Sequence, residues 1–259
     1  MQQVKEGVVI FDTDVIVRDS PVPYYYQLAR YIERKIKSRE WLPHQLLPSE
    51  QEICTRLDVS RTVVRQAMDY LVKEGLVVKQ NGKRSSIAGP KYSGDLMQNL
   101  RGFYEDAIAK GKVLSTRVLD LKVIGASGDV AEALRLDEGT PVIMLKRLRF
   151  LDGEPTVLVT TYLPEHLCPS LIHEDFTRQS LYTLLSERYH LEIAEAVRTI
   201  EAVSATQQEA RLLGIVPGSP LLLLKSVGFL RNGLPLEYYI ARHRGDRSKF
   251  QVHLIEPAR

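Results

Sequence analysis

Residues 46–83 read LLPSEQEICTRLDVSRTVVRQAMDYLVKEGLVVKQNGK. Ser49 is a helix N-cap, and Glu52 three residues later completes a capping box, in which hydroxyl and carboxylate each accept from the other residue's backbone N–H. The helix that follows buries Ile53 and Leu57 and ends near Asp58-Val59. Ser60 caps a second helix that buries Val64, Ala67 and Leu71 and stops at Gly75, the residue type that tolerates the left-handed C-terminal position. Two short helices joined by a tight turn predict a helix-turn-helix. LVVKQ and SSIAG then read as two strands around Asn81-Gly82, a hairpin turn, so the motif is winged. Upstream, Pro23 opens a helix with Leu28, Ile32 and Ile36 on one face.

The charge is distributed to match. The chain of 259 residues carries a formal +3. Residues 21–91 hold 13 Lys+Arg against 7 Asp+Glu, or +6, while 1–20 hold 2 against 4 and 92–259 hold 20 against 21. One basic segment beside a neutral remainder is the footprint of a nucleic-acid-binding module joined to a second domain. The second helix of the motif would enter the DNA major groove. Its first turns carry Ser60, Arg61, Thr62 and Arg65, with the two arginines four apart and so on one face. Arginine can bond guanine O6 and N7 bidentately, and serine and threonine hydroxyls suit phosphates. Ser49 lies at the start of the first helix, and Gly82, Lys83 and Arg84 form the wing tip, placed to reach the backbone or the minor groove.

This segment resembles the DNA-binding domain of the GntR family of bacterial transcription regulators, through LPSE at 47–50, VSRTVVRQA at 59–67 and EGLV at 74–77. The resemblance implies that Arg61, Arg65 and the wing around Gly82-Lys83 contact operator DNA. Two residues depart from it. Gln51 stands where family members commonly have arginine, which implies one phosphate or base contact fewer. The wing reads Gly82-Lys83-Arg84-Ser85 in place of a G-x-G run followed by a small hydroxyl residue.

The remainder is organised by an internal repeat. AEALRLDEGTPVIMLKRLRFL at 131–151 aligns with ARLLGIVPGSPLLLLKSVGFL at 210–230 at a constant offset of 79, and after one inserted residue Gly153-Glu154-Pro155 meets Gly233-Leu234-Pro235. Each copy reads as short helix, Gly-x-Pro turn, strand, hairpin, strand. The predicted fold class is therefore α+β: an N-terminal winged helix-turn-helix, then a pseudo-symmetric antiparallel-sheet α/β ligand-binding domain, with helices at 102–111 and 180–190 against the sheet. A pocket between two related halves is a natural ligand site. Arg147 and Arg149 lie on one strand face with Ile143, Leu145 and Leu151, yet their repeat equivalents are Ser226 and Gly228. The fold does not need arginine there, which points to a desolvated anion site.

This half resembles the UTRA effector-binding domain of the HutC-like subfamily, over about residues 95–257. The matching residues are Arg147 and Arg149 before Asp152-Gly153-Glu154-Pro155, then Tyr162-Leu163-Pro164, Ser180-Leu181-Tyr182, the Leu213–Leu222 segment and Pro235-Leu236-Glu237. The resemblance implies that a small anionic metabolite binds among Arg147, Arg149, Ser180, Tyr182 and Glu237. It also places the start of the first helix, Gly102-Phe103, at the pocket, where backbone N–H groups can hold an anion. Sugar-phosphate-binding members tend to have an acid near Val159 and small hydroxyl residues where Gly102-Phe103-Tyr104 stand here. The exchange favours a flatter, less hydroxylated carboxylate.

The expected organisation is an N-terminal arm or extra hairpin (1–20), the winged helix-turn-helix (21–88), a linker (89–98) and an effector-binding and dimerisation domain (99–259). The expected partners are double-stranded operator DNA, a small anionic effector and a second copy of the chain, since a single helix-turn-helix covers only one half-site. No membrane partner is expected, because no stretch approaches the ~18 apolar residues of a membrane helix. Two distant cysteines suit a reducing cytoplasm. His166, His173 and His190 lack metal-ligand spacing, no phosphate-binding glycine loop occurs, and neither cofactor nor metal is expected. The competing reading starts from VVIFDTDVIV, whose Asp12-Thr13-Asp14 resembles the nucleophile motif of haloacid-dehalogenase-type phosphatases, giving a metabolite-binding enzyme with an accessory basic domain. No later part of that constellation follows it, so no catalytic residues are expected.

Overall fold

The computed structural model describes residues 7–79, 84–89, 92–94, 111, 113–250 and 252. The chain forms two compact units, Met1–Lys91 and Tyr92–Arg259.

In the first unit, α1 (Tyr24–Lys37), α2 (Glu50–Leu57) and α3 (Arg61–Lys73) precede β1 (Val77–Val78) and β2 (Ser86–Ile87), which pair antiparallel as the base of the wing. The paired strands are shorter than the sequence suggested, and the turn residues Asn81 and Gly82 lie outside the described residues. The predicted caps form: Ser49 and Glu52 make both bonds of the capping box, and the Ser60 hydroxyl accepts from Val63 N–H. Between the helices Asp58 takes the left-handed conformation (φ 51°, ψ 52°), which short polar side chains tolerate, and this closes the turn. Leu28, Ile32, Ile53, Val64, Ala67 and Leu71 share one core. The tyrosines at the start of α1 belong to that helix packing: Tyr26 meets Tyr70 of α3 edge-on at 6.0 Å, a helix–helix contact.

Residues 8–17 form no hairpin of their own. Val8 makes a single parallel bridge with Leu46, and Val9, Phe11 and Val15 are buried in the helical core. The Phe11 ring lies 5.6 Å from Tyr31 and 5.0 Å from Trp41. The segment is an arm by path and part of the core by packing.

The second unit is built on a six-stranded antiparallel sheet. Its strands are β4 (Leu114–Gly125), β5 (Pro141–Leu151), β6 (Glu154–Pro164), β7 (Glu195–Ser204), β8 (Pro220–Phe229) and β9 (Pro235–Arg244), in the order β4-β5-β6-β9-β8-β7. The repeat is visible bond by bond. Asp120 pairs with Lys146 in one half and Thr199 with Lys225 in the other; Gly139 and Gly218 sit at φ 84° and 83° in matching turns. The pair Thr160–Ile240 at the centre maps onto itself, so the pseudo-twofold axis passes between β6 and β9. Helices α4 (Asp129–Leu134) and α6 (Gln207–Leu213), one from each copy, cover one face with Leu148, Leu158 and Leu221. The opposite face carries Arg147 and Arg149, and part of it is covered by α5 (Leu181–Tyr189) with Phe176, Leu181 and Leu185 over Ile143, Leu145 and Leu163. A short strand β10 (Ser248–Phe250) pairs parallel with β3 (Tyr92–Gly94). The predicted helix over 102–111 falls outside the described residues, apart from Gly111.

Candidate functional site

Two sites emerge, one in each unit. On α3 the side chains of Arg61, Thr62 and Arg65 are exposed, because the buried stripe Val64, Ala67, Met68 and Leu71 takes the other side of the helix. Most neighbouring cations are held by carboxylates: Lys79 by Asp69 and Glu50, Arg84 by Glu52, Arg18 by Asp58. Arg61 and Arg65 have no carboxylate partner among the described residues, so both charges stay available to a polyanion. Arg61 instead donates from Nε (3.0 Å) and Nη2 (2.6 Å) to the amide oxygen of Gln51 on α2. Sequence reading treated Gln51 as a lost contact; the structure gives it a contact within the protein. Ser49 and Ser60 use their hydroxyl oxygens as caps. Arg84 is tied to α2 through Glu52 at 2.9 Å, which fixes the base of the wing. Gly82 and Lys83 lie outside the described residues.

In the second unit the sheet brings together most of the residues predicted for the pocket. Arg147 and Arg149 on β5 and Glu237 on β9 are buried, with β6 between them. Tyr182, in the first turn of α5, donates to Glu237 Oε2 at 2.7 Å. Ser180 is the N-cap of that helix and accepts from Thr183 N–H. Arg147 Nη2 donates to Thr161 Oγ1 at 3.3 Å, and its guanidinium lies 6.0 Å from the centre of the Phe176 ring. Gly102 and Phe103 lie outside the described residues.

Burial pushes the Glu237 carboxyl above its usual range; the Tyr182 hydrogen bond and the charges of Arg147, Arg198 and Arg149 oppose that shift. Burial also raises Tyr182 well above the ordinary phenol value and Tyr239 to about 12, and it lowers His243 to about 3 with help from the charge of Arg149. The face is thus a desolvated patch with arginines outnumbering its one buried carboxyl, whose ionised form is disfavoured. In its chemistry such a patch is suited to an anion, with hydroxyl and carboxyl groups beside the arginines. Sequence reasoning missed Arg198, Ser226, Tyr239 and His243. Alternation from Glu237 would have placed Tyr239 and His243 on the same face of β9. Arg198 could be found only through its register on β7, opposite Ser226, to which it donates at 3.3 Å. The described residues contain no cluster of three or more His, Cys, Asp or Glu able to hold a metal ion.

Asp12 of the phosphatase-like motif forms an ion pair with Lys35 at 3.0 Å, while its backbone N–H donates to the Tyr31 hydroxyl at 2.9 Å. The motif fastens the arm to α1, and it does not end a strand of a parallel sheet.

A winged helix-turn-helix whose recognition helix exposes Arg61 and Arg65, followed by a duplicated sheet with a buried arginine face, defines a DNA-binding regulator with an effector-binding domain. Residues 24–87 match the bacterial regulatory proteins of the gntR family and residues 109–249 match the UTRA domain; the chain belongs to the GntR family, in the HutC-like group that carries UTRA. It is 32% identical to the HTH-type transcriptional repressor NagR of Bacillus subtilis over 93% of this chain and 98% of that one. It is 31% identical to the histidine utilization repressor of Pseudomonas putida over 80% and 82% of the respective chains. The crystal structure of PhnF from Mycobacterium smegmatis superposes with a TM-score of 0.62 at 27% identity, covering 90% of this chain and 99% of that one. The Bacillus subtilis and Pseudomonas putida relatives are both named as repressors.

Proposed function

We propose that the protein is a cytoplasmic repressor that binds a palindromic operator as a homodimer and is released or repositioned by a small anionic metabolite. In this reading residues 21–88 bind DNA, 89–98 form the linker, and 99–259 bind the effector and pair the protomers. Ser49, Ser60, Arg61, Thr62, Arg65, Gly82, Lys83 and Arg84 form the DNA surface, with Arg84 acting chiefly as the brace of the wing. Gly102, Phe103, Arg147, Arg149, Ser180, Tyr182 and Glu237 form the effector pocket, joined by Arg198 and Tyr239. The observation that carries the reading is the buried group Arg147, Arg149 and Glu237 on one sheet face of a regulator's second domain, with Tyr182 of α5 hydrogen-bonded to Glu237. A palindrome read by a dimer follows from the small footprint of one recognition helix. Effector action is a population shift between placements of the two DNA-binding domains that fit or miss the half-site spacing.

A thermal-shift screen with phosphorylated sugars and small carboxylates, on wild type and an Arg147→Ala/Arg149→Ala variant, tests the pocket. Stabilisation of wild type alone supports it and separates carboxylate from phosphate. Equal stabilisation of both proteins sinks the assignment. A hit that leaves operator affinity unchanged at fixed salt sinks the switching mechanism.

A further inference from the structure

We propose that Gln51 is a specificity-determining residue of the DNA interface: it holds Arg61 by one edge, so that this arginine meets a base only with its terminal edge and only along one direction. The proposal rests on the DNA-binding reading above. Arginine has no acceptor, so the two donations from Arg61 Nε and Nη2 require that Gln51 present its amide oxygen and turn its amide NH2 outward. Both residues are exposed, and they come from different helices across the turn closed by Asp58. The latch leaves three N–H groups on Arg61, including the paired terminal edge, and two on Gln51. The composite surface is donor-only and rigid, and it fits the paired acceptors O6 and N7 of guanine. A free arginine on the same helix would sample phosphates and bases alike, and would lose rotamer freedom on binding. The latch settles most of that choice before DNA arrives.

The test is selection of half-sites by the full-length protein from a randomised palindromic library at fixed salt, using wild type, Arg61→Ala, Gln51→Ala, Gln51→Glu and the double alanine variant. Arg61→Ala should lose preference at one base pair by roughly tenfold, within the range for one bidentate contact. Gln51→Ala should relax the same base pair, and should add little once Arg61 is gone. Gln51→Glu keeps an acceptor, so it should keep the base preference while weakening binding to all sequences through its negative charge. If Gln51→Ala leaves that base pair untouched, alters a different one, or adds its full effect to Arg61→Ala, the latch is not what sets specificity. If wild type selects no sequence at all, the DNA-binding reading itself fails.

Discussion

The Tyr182 hydroxyl donates a 2.7 Å hydrogen bond to Glu237 Oε2, tying the first turn of α5 to the sheet where Arg147 and Arg149 lie. The helix is thereby joined to the sheet through a carboxyl whose own charge the arginines favour.

Glu237 should make stability fall as pH rises. Its folded carboxyl is raised above the usual glutamate range. A raised acid contributes stability below its unfolded value and loses it as pH climbs through the folded value. Urea unfolding of wild type and Glu237→Gln from about pH 4 to about pH 8 should show wild type losing ground to the variant across that window. A constant difference would show that the carboxyl does not titrate between the two states. Tyr182→Phe should cost ~1–3 kcal/mol and move the window higher, since it removes a donor to the charged form.

His243 should have the opposite sign. Burial holds its ring neutral down to about 3. The unfolded imidazole gains a proton near 6.5, so this contribution is intact above ~6.5 and is lost as pH falls toward ~3, at about 1.4 kcal/mol per pH unit. His243 stacks edge-on against Phe250 at 5.1 Å, so His243→Phe retains a ring in that contact. Its acid unfolding profile should be flatter than wild type; superimposable profiles would refute the prediction.

Phe11→Ala should destabilise the first unit by ~3–5 kcal/mol, the cost of a cavity in a packed core. Phe11 is 1% exposed and touches the rings of Tyr31 and Trp41. Unfolding followed by Trp41 fluorescence reads this directly. A change within ±0.5 kcal/mol would mean that the arm lies on the surface.

Arg65→Ala should cost ~1–3 kcal/mol on the specific site and relax sequence preference, and Lys83→Ala should chiefly lower the salt slope by ~1. Binding titrations against salt, on specific and random DNA, separate the two. Equal weakening on both DNAs would make Arg65 a phosphate contact, and an unchanged slope would keep Lys83 off the DNA.

The helix caps, the turn and the duplicated βα unit were legible because each rests on local chemistry: Ser49 with Glu52, Ser60, and the glycines of the Gly-x-Pro turns. Arg147 and Arg149 stood out because their repeat equivalents are Ser226 and Gly228. Arg198 did not, because its position on the site depends on which residue of β8 it faces, a register that no local pattern encodes. The packing of the arm was not legible for a similar reason. VVIFDTD alternates too briefly to form a hairpin, and its apolar residues find partners in Tyr31 and Trp41, far along the chain. Gln51 looked like a loss because a family position was compared with itself; its partner stands ten residues on, across the turn.

The axis through Thr160 and Ile240 equates Arg147 with Ser226, Arg149 with Gly228, Glu237 with Val157 and Tyr239 with Val159. The two halves are therefore unlike: the first sets Arg147 and Arg149 beside Val159 and Val157, and the second sets Tyr239 and Glu237 beside Ser226 and Gly228. A metabolite that needs both the arginines and the carboxyl should therefore saturate at one equivalent per chain, because neither half holds the full set.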